Sequence, residues 1–380
     1  MNEPTVPDSS GTRKPRVAVV FGGRSSEHGI SCVTAGSVLQ AIDRSRYDVV
    51  PVGIAPDGRW VLESGDPERL RIESADKLPS VDAAGASVAL SQHVGSTDLV
   101  VTEPSEPPRT LGEVDVVFPL LHGPWGEDGT IQGMFEMAGV RYVGAGVLAS
   151  AVSMDKAYMK VVLQAAGLPV MPSVTVTARE WQRDPQGCRE RAAGIGYPLF
   201  VKPARGGSSF GISKAHDAAE LDACVEEAMR HDPKVLLEVS AEGAREVECG
   251  VLQAFDGSPE TSVPAEVRVQ GEHEFYDFAA KYLPEEATEL DIPAKLAPEK
   301  TAELQSLAAR AFEAVGCEGL ARVDFFVMPD ESLVVNEINT MPGFTPTSMY
   351  PQMWAASGVD YPALVDRLIG LALQRDTGLR

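Results

Sequence analysis

The chain has 380 residues, enough for two or three domains of about 100 to 200 residues, and its 44% apolar fraction is sufficient to give each of them a core. Lys and Arg total 33 against 55 Asp and Glu, and the formal charge of -22 argues against general affinity for nucleic acid or an anionic membrane surface. An anionic ligand must therefore meet a local basic site.

The first segment, MNEPTVPDSSGTRKPR, lacks the apolar core of a secretory signal and reads as a flexible polar arm over residues 1–15. Arg16 to Phe21 is a β-rich apolar run that ends at Gly22-Gly23 and leads into a helical pattern through Asp43; Val49 to Ile54 and Val114 to Pro119 are similar runs. Strands alternating with helices predict a parallel, doubly wound α/β domain over residues 16–147. Within it, Glu63 to Glu113 is rich in Pro, Ser, Gly and acid, with ten acids against four bases, and reads as an acidic insertion with little regular structure. A helix over Leu148 to Ala166, closed by Gly167-Leu168-Pro169, begins a second domain, residues 148–240. There Leu199 to Lys202 and Gly211 to Lys214 flank a glycine-rich turn, followed by a helix from Asp217 to Arg230 and a strand at Val235 to Val239. Residues 241–380 read as α+β. Strands are expected near Val247 to Gln253 and Thr261 to Val269, a helix at Lys300 to Val315, a β pair at Leu320 to Met328 and Ser332 to Ile338, and a last helix from Tyr361.

Membrane insertion is not expected, because the longest uncharged stretch, Ile338 to Val359, carries three prolines where a spanning helix needs about 20 mostly apolar residues. The five cysteines, Cys32, Cys188, Cys224, Cys249 and Cys317, are scattered without a Cys-x-x-Cys pair or zinc spacing, which fits a reducing cytoplasm.

Four segments carry candidate chemistry. In the β pair, Arg322 and Asp324 are two residues apart and share a strand face, as do Glu337 and Asn339 on the neighbouring strand. Asp, Glu and an Asn carbonyl are hard oxygen ligands suited to Mg2+; a solvated sheet face with an Arg-Asp pair is the alternative. The following Thr340-Met341-Pro342-Gly343 loop would let a backbone N-H at Gly343 approach a ligand. In Val201-Lys202-Pro203-Ala204-Arg205-Gly206-Gly207-Ser208-Ser209, a Lys at a strand end precedes small residues, which suits phosphate or merely a hairpin turn; it is neither a Walker A loop nor a dinucleotide fingerprint. Glu27, after the first strand, suits an ammonium group or the start of a helix. His122 ends the Val114 run, as a crevice residue or a structural histidine. The long polar segment Gln270 to Pro293, with Lys281-Tyr282, reads as a lid or a disordered loop.

In this order, the segments GGRSSEHGIS, LHGPWGEDGTIQG, YVGAGVLASAVSMDKAYMK, VKPARGGSSFG, AAKYL, ARVDFF and NEINTMPGFTPTSM resemble those of the D-alanine:D-alanine ligases of the ATP-grasp superfamily. The resemblance runs from Arg16 to the last helix and leaves the arm and the acidic insertion unmatched. It implies an ATP-grasp fold in which ATP is gripped between the second and third domains and two D-alanines, donor and acceptor, lie against the first. The donor carboxylate attacks the γ-phosphate, and the acceptor amine displaces phosphate from the acyl phosphate. Residue by residue, it places Glu27 and His122 at the donor, Lys156, Lys202 and Lys281 on the phosphates, and Glu238 and Glu246 on adenine and ribose. Asp324, Glu337 and Asn339 would hold Mg2+ or Mn2+, two ions in all. Arg322 and Gly343 would stabilise the tetrahedral intermediate, Ser348 would contact the acceptor carboxylate, and Ser208 and Tyr282 would help close the lid. EVSAEG departs from the family's commoner adenine-side pattern. Relatives making D-alanyl-D-lactate lack the tyrosine matched by Tyr282, so an amine acceptor is expected. A cytoplasmic homodimer serving peptidoglycan synthesis is implied as well. D-lactate or D-serine ligases, other ATP-grasp carboxylate-amine ligases, and a nucleotide-binding regulator without the chemistry are the competing readings.

The charge is unevenly spread. Residues 151 to 216 hold nine bases and four acids, a net +5 inside a chain of -22. This local reversal coincides with the expected phosphate site.

Overall fold

The computed structural model describes residues 13–72, 77–91, 96–103, 105–207, 211–269 and 288–377. These build three sheets, each covered by helices on at least one face. The first has the order β6-β5-β4-β3-β2-β1-β7-β8, comprising β1 (Arg16–Gly22), β2 (Asp48–Ile54), β3 (Trp60–Leu62), β4 (Ser87–Leu90), β5 (Asp98–Thr102), β6 (Arg109–Glu113), β7 (Val116–Pro119) and β8 (Arg141–Tyr142). The four strands β2, β1, β7 and β8 are parallel, as the alternating pattern predicts, and the remaining neighbours are antiparallel.

The acidic stretch is therefore not a structureless insertion. It supplies β4, β5 and β6; β4 and β5 carry Val88, Leu99 and Val101 inward, while Ser87, Ala89 and Thr102 beside them are exposed. Alternating burial of single apolar residues holds an antiparallel flank at a low overall hydrophobicity.

β1 alternates between two cores. Val17, Val19 and Phe21 pack with helices His28–Ala41 and Tyr361–Gln374, and Ala18 and Val20 pack against helix Thr130–Ala138. At its end Gly22 takes φ +89°, and a Cβ there would lie 2.4 Å from the Ile54 carbonyl oxygen. Only glycine turns the chain out of the sheet at that distance.

The helix expected over Leu148 to Ala166 is two helices, Val147–Met154 and Lys156–Ala165. Asp155 breaks it with an extended backbone, and its side chain accepts hydrogen bonds from the amides of Ala157 and Tyr158. The carboxylate also pairs with Lys234. Both helices pack on the C-terminal sheet through Ala149, Met159 and Leu163.

The second sheet is antiparallel, β11-β10-β12-β9, from β9 (Ser173–Thr177), β10 (Leu199–Pro203), β11 (Ser213–Ala215) and β12 (Lys234–Val239). Leu199, Val201, Val235 and Leu237 point into a core with helices Pro185–Ile195 and Leu221–Met229. Asp217 does not start the latter helix; its side chain caps a turn at Ala219 and Glu220 just before it.

The third sheet runs β16-β15-β13-β17-β18, with β14 (Pro259–Thr261) paired to β13. It contains β13 (Arg245–Gln253), β15 (Ala265–Val269), β16 (Thr288–Asp291), β17 (Leu320–Val327) and β18 (Leu333–Asn339), and helix Pro298–Ala314 covers its apolar face. Thr261 to Val269 is thus two strands rather than one. The end of the expected lid, Thr288–Asp291, is a strand antiparallel to β15, while residues 270–287 lie outside the described residues.

Phe344 ties this last region to the first sheet. It is fully buried, with its ring 6.1 Å from Phe118 of β7, 6.0 Å from Tyr350 and 5.6 Å from Tyr361. Phe344→Ala should lower unfolding stability by about 3–5 kcal/mol, since a large ring leaves a cavity its rigid neighbours cannot fill. Urea titration followed by tryptophan fluorescence measures it; a loss under about 1 kcal/mol would show that the cluster does not join the two regions.

Candidate functional site

A cavity of about 590 Å³ opens where the three sheets meet. The size suits a small-molecule ligand. Strand periodicity explains its walls: the face of each strand that does not enter a core is turned to the cavity.

Phe200 and Lys202 of β10 alternate with the core residues Leu199 and Val201, and Glu238 of β12 alternates with Leu237. On the third sheet, Val247, Cys249, Val323, Phe325 and Ile338 are core residues, so Glu246, Glu248, Arg322, Asp324, Glu337 and Asn339 face the cavity. Cα pairing sets Arg322 opposite Asn339, Asp324 opposite Glu337, and Glu248 opposite Asp324. Five polar groups of three strands thus form one wall.

Within that wall Arg322 donates to both oxygens of Asp324, at 2.7 and 2.6 Å, and its Nε lies 3.1 Å from Glu248. Asn339 Nδ2 donates to Asp324 at 3.1 Å. Burial opposes the guanidinium charge, but Asp324, Glu248 and Glu337 outweigh it and hold Arg322 firmly protonated. The expected Arg-Asp pair is formed, on a wall of the cavity rather than a solvated face.

Asp324, Glu337 and the Asn339 amide give the hard oxygen donors that suit a divalent cation. Among the described residues no three His, Cys, Asp or Glu side chains form a cage by themselves. The set therefore fits a cation that shares its coordination with ligand phosphate oxygens, the usual arrangement for Mg2+.

Lysines line the opposite side. Lys156, at the first position of its helix, donates to the Gly206 carbonyl at 2.9 Å and stands 3.5 Å from Glu337. It links the glycine-rich turn to the carboxylate wall. Lys202 donates to Glu238 at 2.5 Å. Lys214 pairs with Glu242 at 3.1 Å, and with Lys202 it flanks the ring of Phe200.

The first sheet contributes the end wall. Glu27 occupies the start of helix His28–Ala41, but its side chain makes no cap hydrogen bond and turns to the cavity. A Cβ on Gly123 would sit 2.4 Å from a Glu27 oxygen, and one on Gly207 3.3 Å from it, so two glycines make room for this carboxylate. His122 lies buried beside it, with Nδ1 3.2 Å from the Met341 carbonyl oxygen and Nε2 3.4 Å from Thr34. Burial depresses its basicity despite the Glu27 charge, which favours a neutral imidazole at physiological pH.

The cavity gathers Glu27, His122, Lys156, Lys202, Glu238, Glu246, Arg322, Asp324, Glu337, Asn339 and Gly343. Ser348 is not in its lining; its hydroxyl accepts from the Thr345 amide at 3.1 Å, at the start of helix Met349–Ala356. Ser208, Lys281 and Tyr282 lie outside the described residues.

Three charged groups escaped sequence reasoning. Glu248 follows Glu246 by two residues, so strand periodicity alone would have found it. Lys160 lies one helical turn after Lys156 and pairs with Glu238 from behind. Glu127, in the segment after His122, accepts from the Gly123 amide at 2.5 Å. The residue keeps some surface on the cavity wall, but its carboxyl is enclosed; burial, then the Glu27 charge, pushes it up to about 8.

That shift has a stability consequence. Between about 4.5 and about 8 the folded chain keeps a proton that the unfolded chain has lost, so stability falls as pH rises through this window. Glu127→Gln is neutral throughout. By thermal denaturation it should match the parent chain near pH 4 and exceed it by about 3 °C near pH 9; equal pH profiles would contradict the shift.

Family models for the D-ala D-ala ligase N-terminus and C-terminus match residues 16–145 and 162–370. The chain is 60% identical to a D-alanine--D-alanine ligase of Streptomyces griseus over 97% of its own length and 95% of that protein's, and 55% identical to one of Mycobacterium sp. (strain KMS) over 97% and 99%. Its fold is similar to that of the VanG D-Ala:D-Ser ligase of Enterococcus faecalis, with a TM-score of 0.81, 35% identity, and coverage of 95% of this chain and 100% of that one. A D-alanine-D-alanine ligase structure from Coxiella burnetii gives a TM-score of 0.78 at 34% identity, covering 96% of this chain and 95% of that one. The chain belongs to the D-alanine–D-alanine ligase family.

Proposed function

We propose that this chain joins two D-alanines into D-alanyl-D-alanine with cleavage of ATP to ADP and phosphate, through an acyl phosphate, for peptidoglycan precursor synthesis. The observation that carries the reading is the meeting, in one cavity, of the buried Glu27 carboxylate, just after the first strand, with lysines and the Arg-Asp-Glu-Asn wall of the third sheet.

The chemistry asks for this arrangement. A carboxylate and a triphosphate repel each other, and in-line attack needs that repulsion neutralised. Lys156 and Lys202 would meet the phosphates, and Phe200 with the 239–244 segment would border the base, with Glu238 and Glu246 as hydrogen-bond acceptors. Asp324, Glu337 and Asn339 would hold the divalent ions, whose charge neutralises phosphate oxygens when bound. Glu27 would fix the donor ammonium, with neutral His122 adding no competing positive charge. Arg322 and the Gly343 N-H would receive the oxyanion when the acceptor amine attacks, a role in which a single preorganised donor is worth about 3–4 kcal/mol. Ser348 as the acceptor-carboxylate contact, and Ser208, Lys281 and Tyr282 as closing groups, are carried by the family resemblance. So are the cytoplasmic homodimer and the preference for an amine acceptor. An acyl phosphate is readily hydrolysed, which would give the Gln270 to Pro293 segment a use as a lid that excludes water.

The direct test supplies ATP, Mg2+ and D-alanine and looks for phosphate and the dipeptide by mass spectrometry. Product formed solely with D-serine or D-lactate as second substrate would overturn the acceptor, and ATP binding without turnover would overturn the activity. Asp324→Asn and Glu337→Gln should each lower D-alanine-dependent phosphate release by about a hundredfold or more, with an unchanged circular dichroism spectrum. Near-normal turnover in either would remove that residue from the metal wall.

A further inference from the structure

The lysine behind Glu238 has no task in the chemistry above. Lys160 is 3% exposed and does not line the cavity, whereas Glu238 and Lys202 both do. Its ammonium pairs with Glu238 Oε1 while Lys202 holds Oε2 at 2.5 Å. The carboxylate, itself 2% exposed, lies between two cations, one sealed in the protein and one reachable by ligand.

Burial would raise the Glu238 carboxyl, but Lys202 and Lys160 outweigh it and keep it below its ordinary range. Burial pushes the Lys160 ammonium down, and the Glu238 charge resists that. Had Lys202 been the sole counter-ion, its departure toward a phosphate would strand a buried carboxylate, which is strongly unfavourable. With Lys160 in place, Lys202 can leave, Glu238 stays ionised, and Oε2 becomes an acceptor facing the cavity. Adenine presents an exocyclic amino donor on its Watson–Crick edge; guanine presents a carbonyl oxygen at the corresponding carbon, which a carboxylate repels.

We infer that Lys160 is a positioning residue for nucleotide binding: a standing counter-ion that lets Glu238 exchange Lys202 for the amino group of the base, and so favours ATP over GTP. The inference rests on the reading of the cavity as an ATP site. Lys160 touches no substrate and acts through Glu238.

The test is a double-mutant cycle in the full chain with Lys160→Met, Glu238→Gln and both together. ATP and GTP affinities are measured by calorimetry without D-alanine, and KM and kcat by phosphate release. Lys160→Met should weaken ATP binding by about tenfold or more, the loss of a charge-assisted contact, and shrink the ATP-to-GTP preference. KM for D-alanine and kcat at saturating ATP should stay within about twofold. Its ATP affinity should improve as pH rises and Glu238 re-ionises, a slope absent from the parent. The double variant should bind ATP no worse than Glu238→Gln alone, because Lys160 has nothing left to act on. It also removes both members of the inner pair, which keeps the comparison available should Lys160→Met alone fold poorly. Additive losses, or unchanged ATP affinity in Lys160→Met, would overturn the role of Lys160. A parent chain that binds no ATP would overturn the site reading itself.

Discussion

The lysine and arginine side chains that line the cavity are held against the protein's own carboxylates: Lys156 by Glu337, Lys202 by Glu238, Lys214 by Glu242, and Arg322 by Asp324 and Glu248. This pairing is the condition for keeping so many charges in a partly buried space, because an unmatched buried ion is far costlier than a matched one. It also makes the site exchangeable. A phosphate oxygen can take the place of a carboxylate at a lysine, and a divalent cation can take the place of a lysine or arginine at a carboxylate. Binding then trades ion pairs for ion pairs and does not require naked charges to be desolvated at the moment of encounter.

The pairs hold their places because their strands are committed on the other side. Each residue of the wall alternates with one that is nearly inaccessible: Val323 and Phe325 around Asp324, Ile338 between Glu337 and Asn339, Leu237 before Glu238. A slip of one residue in β17 or β12 would bury the charges and expose the core, so the hydrophobic effect fixes the register that electrostatics uses. Phe344 extends the same logic between regions. By packing on Phe118 it holds the loop that carries Gly343 against the first sheet, whose β1 leads into the turn that carries Glu27. Together with the contact from His122 Nδ1 to the Met341 carbonyl, this aromatic packing joins the two ends of the cavity.

The wall of β17 and β18 was legible in the sequence because period-two alternation survives in a single chain segment: Arg322 with Asp324, Glu337 with Asn339. The parallel core of the first sheet was legible for a related reason, since strands such as Arg16–Gly22 are continuous apolar runs. The flank over residues 87–113 was not. Its strands bury isolated residues, Val88, Leu99 and Val101, in a stretch interspersed with acid, serine and proline. The break at Asp155 was hidden too, because the apolar pattern continues across it and a capping aspartate in mid-pattern resembles an exposed surface residue. Lys160 and Glu127 illustrate a different limit. Their chemistry depends on partners distant in sequence, Glu238 for one and Glu27 for the other, and no local spacing announces a contact made by folding.

The division of charge follows from the same pairing. A chain of -22 would repel a triphosphate if its charge were spread evenly, yet residues 151 to 216 carry a net +5. Part of that excess is Lys156, Lys202 and Lys214 on the cavity wall, and part is Lys160 behind it. At Glu238 two lysines meet one carboxylate, so this corner keeps a net positive charge after its pairs are formed. The wall of Glu248, Arg322, Asp324 and Glu337 keeps a net negative charge by the same count, two cations, Arg322 and the Lys156 paired with Glu337, against three carboxylates. An anion is drawn to the first side and a divalent cation to the second, and a phosphate group with its cation fits between them. The polarity of the cavity therefore arises from what remains unbalanced after local pairing, a quantity that neither the total charge nor any single residue reveals.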